Sequence, residues 1–144
     1  MFLAAPRGLS LAVIFGLTAC ALAQPVCPVD EVIVRGRIDH PPSNANVRVQ
    51  LVYANNVQGE SGDITPETEK FTLALDFLTQ SRKPIINSAF GKFERRPISV
   101  IVTLSNSAQN REYDRISFDF QTDFKMADPH TYIVKSDVLL KGSQ

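Results

Sequence analysis

The chain has 144 residues, with 15 basic and 15 acidic side chains, two histidines and a formal net charge of zero. With 44% apolar and 21% charged residues it fits one ordinary globular domain. The charge balance excludes a polybasic nucleic-acid binder and an acidic disordered tail. Two cysteines exclude a disulfide-dense scaffold, and beyond the N-terminus no apolar run is long enough to span a bilayer.

Residues 1–23 read as a secretory signal. Arg7 precedes the apolar stretch Leu9–Leu17, and small residues follow. Ala21-Leu22-Ala23 fits the small-x-small rule and places cleavage before Gln24. The competing reading is a buried N-terminal helix, which nothing else in the pattern requires. A second cut site overlaps the first: Leu17-Thr18-Ala19-Cys20 has the form of a bacterial lipobox, in which Cys20 would be lipidated and hold the protein on a membrane. The soluble product is favoured. Either cut leaves Cys27 without an intramolecular disulfide partner, so stability must come from the core.

The rest of the chain alternates with period 2. After a flexible tail at 24–30, a β-sandwich domain is expected over 31–142. In 31–38 (EVIVRGRI), Val32, Val34 and Ile38 share a face, and Gly36 marks a bulge or a close backbone approach. The breaker-rich HPPSNAN follows. In 46–53, Val47, Val49, Leu51 and Tyr53 face one way and Arg48 and Gln50 the other, a half-buried strand. Residues 55–68 are loop by composition. In 70–77, Phe71, Leu73, Leu75 and Phe77 alternate strictly. A helix starting at Thr65-Pro66-Glu67 competes, and the alternation favours the strand.

Residues 78–97 carry Pro84, Gly91 and Pro97, and a short strand or tucked-in turn is expected near 85–93. Residues 98–104 (ISVIVTL) form a candidate central strand. Residues 113–120 put Ile116, Phe118 and Phe120 inward, and 131–141 close the chain with Tyr132, Val134, Val138 and Leu140 on one face. Strands spaced by breaker-rich turns, without a long helix, predict an all-β fold. The expected architecture is a single antiparallel β-sandwich of about seven strands, transthyretin-like or immunoglobulin-like.

Several segments carry a resemblance. VIVRGRI followed by NANVRVQLVY, then KFTLALDF, RRPISVIVTL and the closing TYIVKSDVLLKG, together resemble a transthyretin-like or carboxypeptidase-regulatory-like domain over residues 30–142. The resemblance implies a non-catalytic accessory or binding module. The Cys pairs of the secreted nematode branch are absent. The Tyr-Arg-Gly-Ser end of the related hydroxyisourate hydrolases is replaced by Leu140-Lys141-Gly142-Ser143, so that hydrolysis has no support.

Candidate chemistry is sparse. His40 and His130 sit beside prolines in expected turns, and with Asp39 and Asp128 they could ligate a metal or act as acid and base. Neither has ligand spacing, and solvated turn residues are the plainer reading. Asp114, Asp119, Asp123 and Asp128 could form a Ca²⁺ or general-acid cluster, but the D-x-D-x-D-G grammar is missing. No G-x-S-x-G elbow, phosphate-binding glycine loop or N-glycosylation sequon occurs. No cofactor is expected.

Arg82, Lys83, Phe90, Lys92, Phe93, Arg95 and Arg96 interleave positive charge with aromatic rings. Such segments grip single-stranded nucleic acid or anionic polymers. In a neutral chain, a solvated loop with its two Phe anchored in the core is favoured. If any patch binds a partner, this segment is the first choice.

The leading expectation is a non-catalytic exported protein that binds another macromolecule through loops or an exposed strand edge. The partner would be a protein or a component of the cell envelope. Nucleic acid is not expected, and membrane association would run only through a lipid anchor at Cys20. The location is secreted, periplasmic or extracellular, with the lipid-anchored envelope form as the alternative. The runner-up is a small secreted enzyme or ligand carrier, whose pocket would be lined by Phe71, Phe77, Phe118 and Phe120.

Overall fold

A computed structural model describes residues 29–85 and 89–142, with the backbone alone for 80–85 and 89–94. The signal segment 1–23, Cys20 and Cys27 lie outside the described residues. The strands in chain order are β1 (Val29–Asp39), β2 (Ala45–Tyr53), β3 (Val57–Ile64), β4 (Lys70–Leu78), β5 (Gln80–Ile85), β6 (Ala89–Glu94), β7 (Ser99–Asn106), β8 (Arg111–Asp119), β9 (Phe124–Asp128), β10 (Thr131–Val134) and β11 (Val138–Lys141). A single helical turn, Phe120–Asp123, joins β8 to β9.

Nine strands form two sheets packed as a β-sandwich, so the all-β expectation holds and the expected count of about seven is low. One sheet has the order β3-β2-β7-β8, antiparallel throughout. The other is built around β1. On one edge β1 pairs antiparallel with β4 along its length, from Val29↔Leu78 to Arg37↔Lys70. On its other edge it runs parallel to β10 in its first half and to β11 in its second. β9 pairs with β10 and ends the sheet. This sheet is therefore mixed, which corrects the expectation of a purely antiparallel sandwich.

The core follows the period-2 pattern. Val32, Val34 and Ile38 of β1, Val47, Val49 and Leu51 of β2, Val100, Val102 and Leu104 of β7, and Leu140 of β11 are fully excluded from water. Gly36 lies where β4 and β11 both press on β1. A Cβ there would sit 2.3 Å from the Val138 carbonyl oxygen and 2.8 Å from the Phe71 ring, the close approach that a glycine inside a strand signals.

Two segments depart from the sequence-based expectation, and one resolves the competition between strand and helix in favour of the strand. Residues 57–64, loop by composition, form β3. An edge strand needs few apolar residues, and Asn55 and Asn56 supply the left-handed turn that returns the chain from β2. Segment 70–78 is the expected strand, because Phe71, Leu73 and Phe77 turn one face into the core while the strand edge pairs with β1. The last segment is two strands. Lys135, Ser136 and Asp137 are exposed and step the chain from one part of the β1 edge to the next. The first strand also begins at Val29, two positions before the expected domain start.

Candidate functional site

β4 and β7 lie in different sheets, and the chain crosses between them through the β5–β6 hairpin. This segment, expected to hold a short strand or a tucked-in turn near 85–93, is a two-stranded ribbon whose strands, among the described residues, pair with each other alone. Its base is closed by the Arg95 N–H, which donates to the Thr79 carbonyl at 2.6 Å.

Arg95 is also the hub of a polar knot. Its guanidinium lies 4.2 Å over the Tyr53 ring and donates to Glu60 at 2.9 and 3.3 Å and to the Leu78 carbonyl at 3.2 Å. The Glu60 carboxylate also accepts from the Tyr53 hydroxyl at 2.7 Å and the Leu78 N–H at 3.0 Å. Partial burial disfavours the charge on Glu60. The Arg95 guanidinium, the Tyr53 hydroxyl and the Leu78 N–H outweigh it and hold the carboxyl below its ordinary range. Burial, with the Glu60 contact added, pushes the Tyr53 phenol well up. The knot ties β2, β3 and β4 to the foot of the hairpin. Gly59 makes room for it, since a Cβ there would meet the Tyr53 ring at 2.0 Å.

Beside the hairpin foot lies a cleft of about 700 Å³. Its floor is aromatic. Phe120 stacks on Phe124 at 5.6 Å and meets Tyr132 at 4.9 Å, and behind them Phe77 meets Phe120 edge-on at 6.1 Å. Ile98 and Met126 stand at the mouth, 48% and 58% exposed, two large apolar side chains left in water. Arg96, Asp119 and Gln121 supply polar edges. Asp119 is already engaged: its carboxylate caps the helical turn by accepting from the Gln121 and Thr122 N–H groups, both at 2.9 Å.

The sequence-derived candidates distribute as follows. Arg95 serves the polar knot and Arg96 lines the cleft. The backbone register sets Arg82 opposite Lys92, Lys83 opposite Gly91, Pro84 opposite Phe90 and Ser81 opposite Phe93; the side chains of these residues lie outside the described part. Of Phe71, Phe77, Phe118 and Phe120, only Phe120 borders the cleft. Phe71 packs instead near Gly36.

The two histidines sit at opposite ends of β1, about 30 Å apart along an extended strand, and cannot act together. His40 pairs with its neighbour Asp39 at 3.2 Å. The His130 Nδ1 meets the Asp30 carboxylate at 2.9 Å, where Asp30 is 9% exposed and the His130 ring is open to solvent. Asp128 accepts the His130 N–H at 2.8 Å; this bond, with a Thr131 hydroxyl, holds its carboxyl below the ordinary range.

The other acidic residues are spent on backbone amides. Asp114 accepts from the Arg115 and Lys141 N–H groups, and Asp123 from that of Asp119. Among the described residues no group of three or more His, Cys, Asp or Glu side chains could hold a metal ion.

Sequence reading missed the cleft. Ile116, Phe118 and Phe120 read as one continuous strand face, whereas Asp119 stops the strand and Phe120 opens the helical turn. The available signal was Asp119 two and three residues before Gln121 and Thr122, a capping position. Compared with known proteins, the chain matches no family model, no curated protein and no solved structure.

Proposed function

We propose that this chain is an exported, non-catalytic β-sandwich protein that binds another macromolecule through the end bearing the cleft and the hairpin. One observation carries the reading: an aromatic-floored cleft with Ile98 and Met126 exposed at its mouth, next to a ribbon whose strands pair with each other. Exposed apolar side chains gathered at a concave surface are what a partner would cover. Among the described residues the cleft lining holds no His, Cys, Ser or Lys, and its one carboxylate, Asp119, is engaged in capping the helical turn, which favours binding over catalysis. The signal-like order of residues 1–23 supports export, and the transthyretin-like resemblance supports an accessory module.

The test is site-specific photo-crosslinking in the producing cells. Probes at Ile98 and Met126 are expected to capture one common partner, and a probe at the exposed Leu139, in the opposite half of the sandwich, none. Capture from all three positions alike, or from none, overturns the reading. Intact mass separates the exported forms: a start at Gln24 means a released protein, and an acylated start at Cys20 means an envelope lipoprotein.

A volume of about 700 Å³ also suits a small organic ligand, which favours a ligand carrier as the second reading. Native mass spectrometry of the cell-derived protein would reveal a retained small molecule.

A further inference from the structure

Resting on the binding role just proposed, the geometry of β9 points to how the partner is held. β9 ends its sheet. Its register with β10 pairs Phe124 with Val134, Lys125 with Ile133 and Met126 with Tyr132. One residue beyond, the Lys135 N–H donates to the Asp123 carbonyl at 2.9 Å. Hydrogen-bonded pairs alternate along an antiparallel ladder, so Asp123 and Lys125 bond toward β10. The N–H and C=O groups of Phe124 and Met126 therefore point to the free edge. No backbone group among the described residues meets them.

The same two residues turn their side chains to the cleft. A strand added to this edge would thus set its own alternate side chains against that apolar surface. Between them, Lys125 stands exposed on the opposite face with no ion pair among the described residues. An acidic side chain directly across from it would complete the match.

We propose that β9 takes up an extended peptide segment of pattern apolar–acidic–apolar as an added antiparallel strand. The two apolar side chains seat in the cleft and the acidic one faces Lys125. A second copy of this chain fits less well. Pairing β9 with itself about Lys125 sets lysine against lysine, and pairing about Met126 sets Asp128 against Phe124 beside the aromatic floor.

The probe is a fluorophore-labelled, end-blocked heptapeptide, Gly-Thr-Leu-Glu-Leu-Thr-Gly, titrated to about 1 mM, where weak strand addition is still measurable. Binding is expected, with slowed hydrogen exchange at the Phe124 and Met126 amides. Met126→Pro removes one outward N–H without breaking the ladder to β10, and should weaken binding about tenfold relative to Met126→Ala. Lys125→Glu should invert the preference by about threefold in favour of the Leu-Lys-Leu peptide.

Absence of binding, equal affinity of the Pro and Ala variants, or protection on another edge overturns strand addition. So does a dimer in sedimentation that the peptide dissolves, which would make the second copy the occupant. Partner crosslinking through Ile98 that survives Met126→Pro overturns strand addition alone and leaves the binding role standing. Absence of crosslinks from either cleft position overturns that role as well.

Discussion

Where β1 finishes, Ile38, Val47, Leu104 and Leu140 are wholly shielded from water. Where β1 starts, Phe77, Phe120, Phe124 and Tyr132 pack in stacked, tilted and edge-on contacts beside an open cleft. Branched aliphatic side chains interdigitate and fill the space between sheets. Rings prefer offset and edge-to-face contacts, and a few of them reach across a wider gap. The turns differ in the same sense. At the aliphatic end the buried Asn106 donates to the Ser43 carbonyl at 3.0 Å and accepts from the Ala108 and Gln109 N–H groups at 2.8 and 3.0 Å, locking two turns together. At the aromatic end the chain leaves the sheets as a ribbon held at its foot by Arg95. One end is built for cohesion and the other keeps surface in reserve.

The largest effects should fall on the aliphatic end. Leu104→Ala is expected to cost about 4 kcal/mol in chemical denaturation, while Met126→Ala at the cleft mouth stays within about 0.5 kcal/mol. Equal losses at both positions would erase the contrast. Gly36→Ala comes next, at about 3 kcal/mol, because its Cβ would collide with the backbone of β11 and the Phe71 ring. A near-neutral denaturation midpoint would mean that β1 and β11 can part without loss.

The smallest effect sharpens the account of the aromatic end. Glu60→Gln should cost about 2 kcal/mol at neutral pH. The wild-type carboxyl titrates lower when folded than its ordinary value of 4.5. The unfolded chain then binds the proton more readily, so stability rises with pH across this window. The contribution of Glu60 is full above about pH 4.5 and is lost as the pH falls through the folded value. The gap between wild type and Glu60→Gln should therefore close on acidification. A gap independent of pH would assign the knot to shape rather than charge.

Strands that bury one face were legible in the sequence, because Val47, Val49 and Leu51 or Val100, Val102 and Leu104 announce their period directly. β3 was not, because an edge strand of Gln, Gly, Glu and Ser looks like loop until its partner is known. Nor was the parallel pairing of β1, since alternation specifies a face and not a neighbour. The site was legible in part. Arg95 and Arg96 lay in the segment chosen for its charge and rings, but the cleft they adjoin is assembled from Ile98, Phe120, Met126 and Tyr132, which meet only through the crossing from β8 to β9. The Tyr53–Glu60–Arg95 knot left no pattern at all, since its members are separated by loops and strands of unrelated character.

The position of β1 also has a consequence in time. A ribosome delivers the chain N-terminus first. β1 then finds its antiparallel neighbour β4 midway through the chain, but its other edge stays bare until residues 131–141 arrive. Closure of that sheet waits for β10 and β11. Contacts this distant along the chain also form slowly. A nascent molecule therefore stays pliable while β1 has one bare edge, and it sets firm only once β10 and β11 have paired with it.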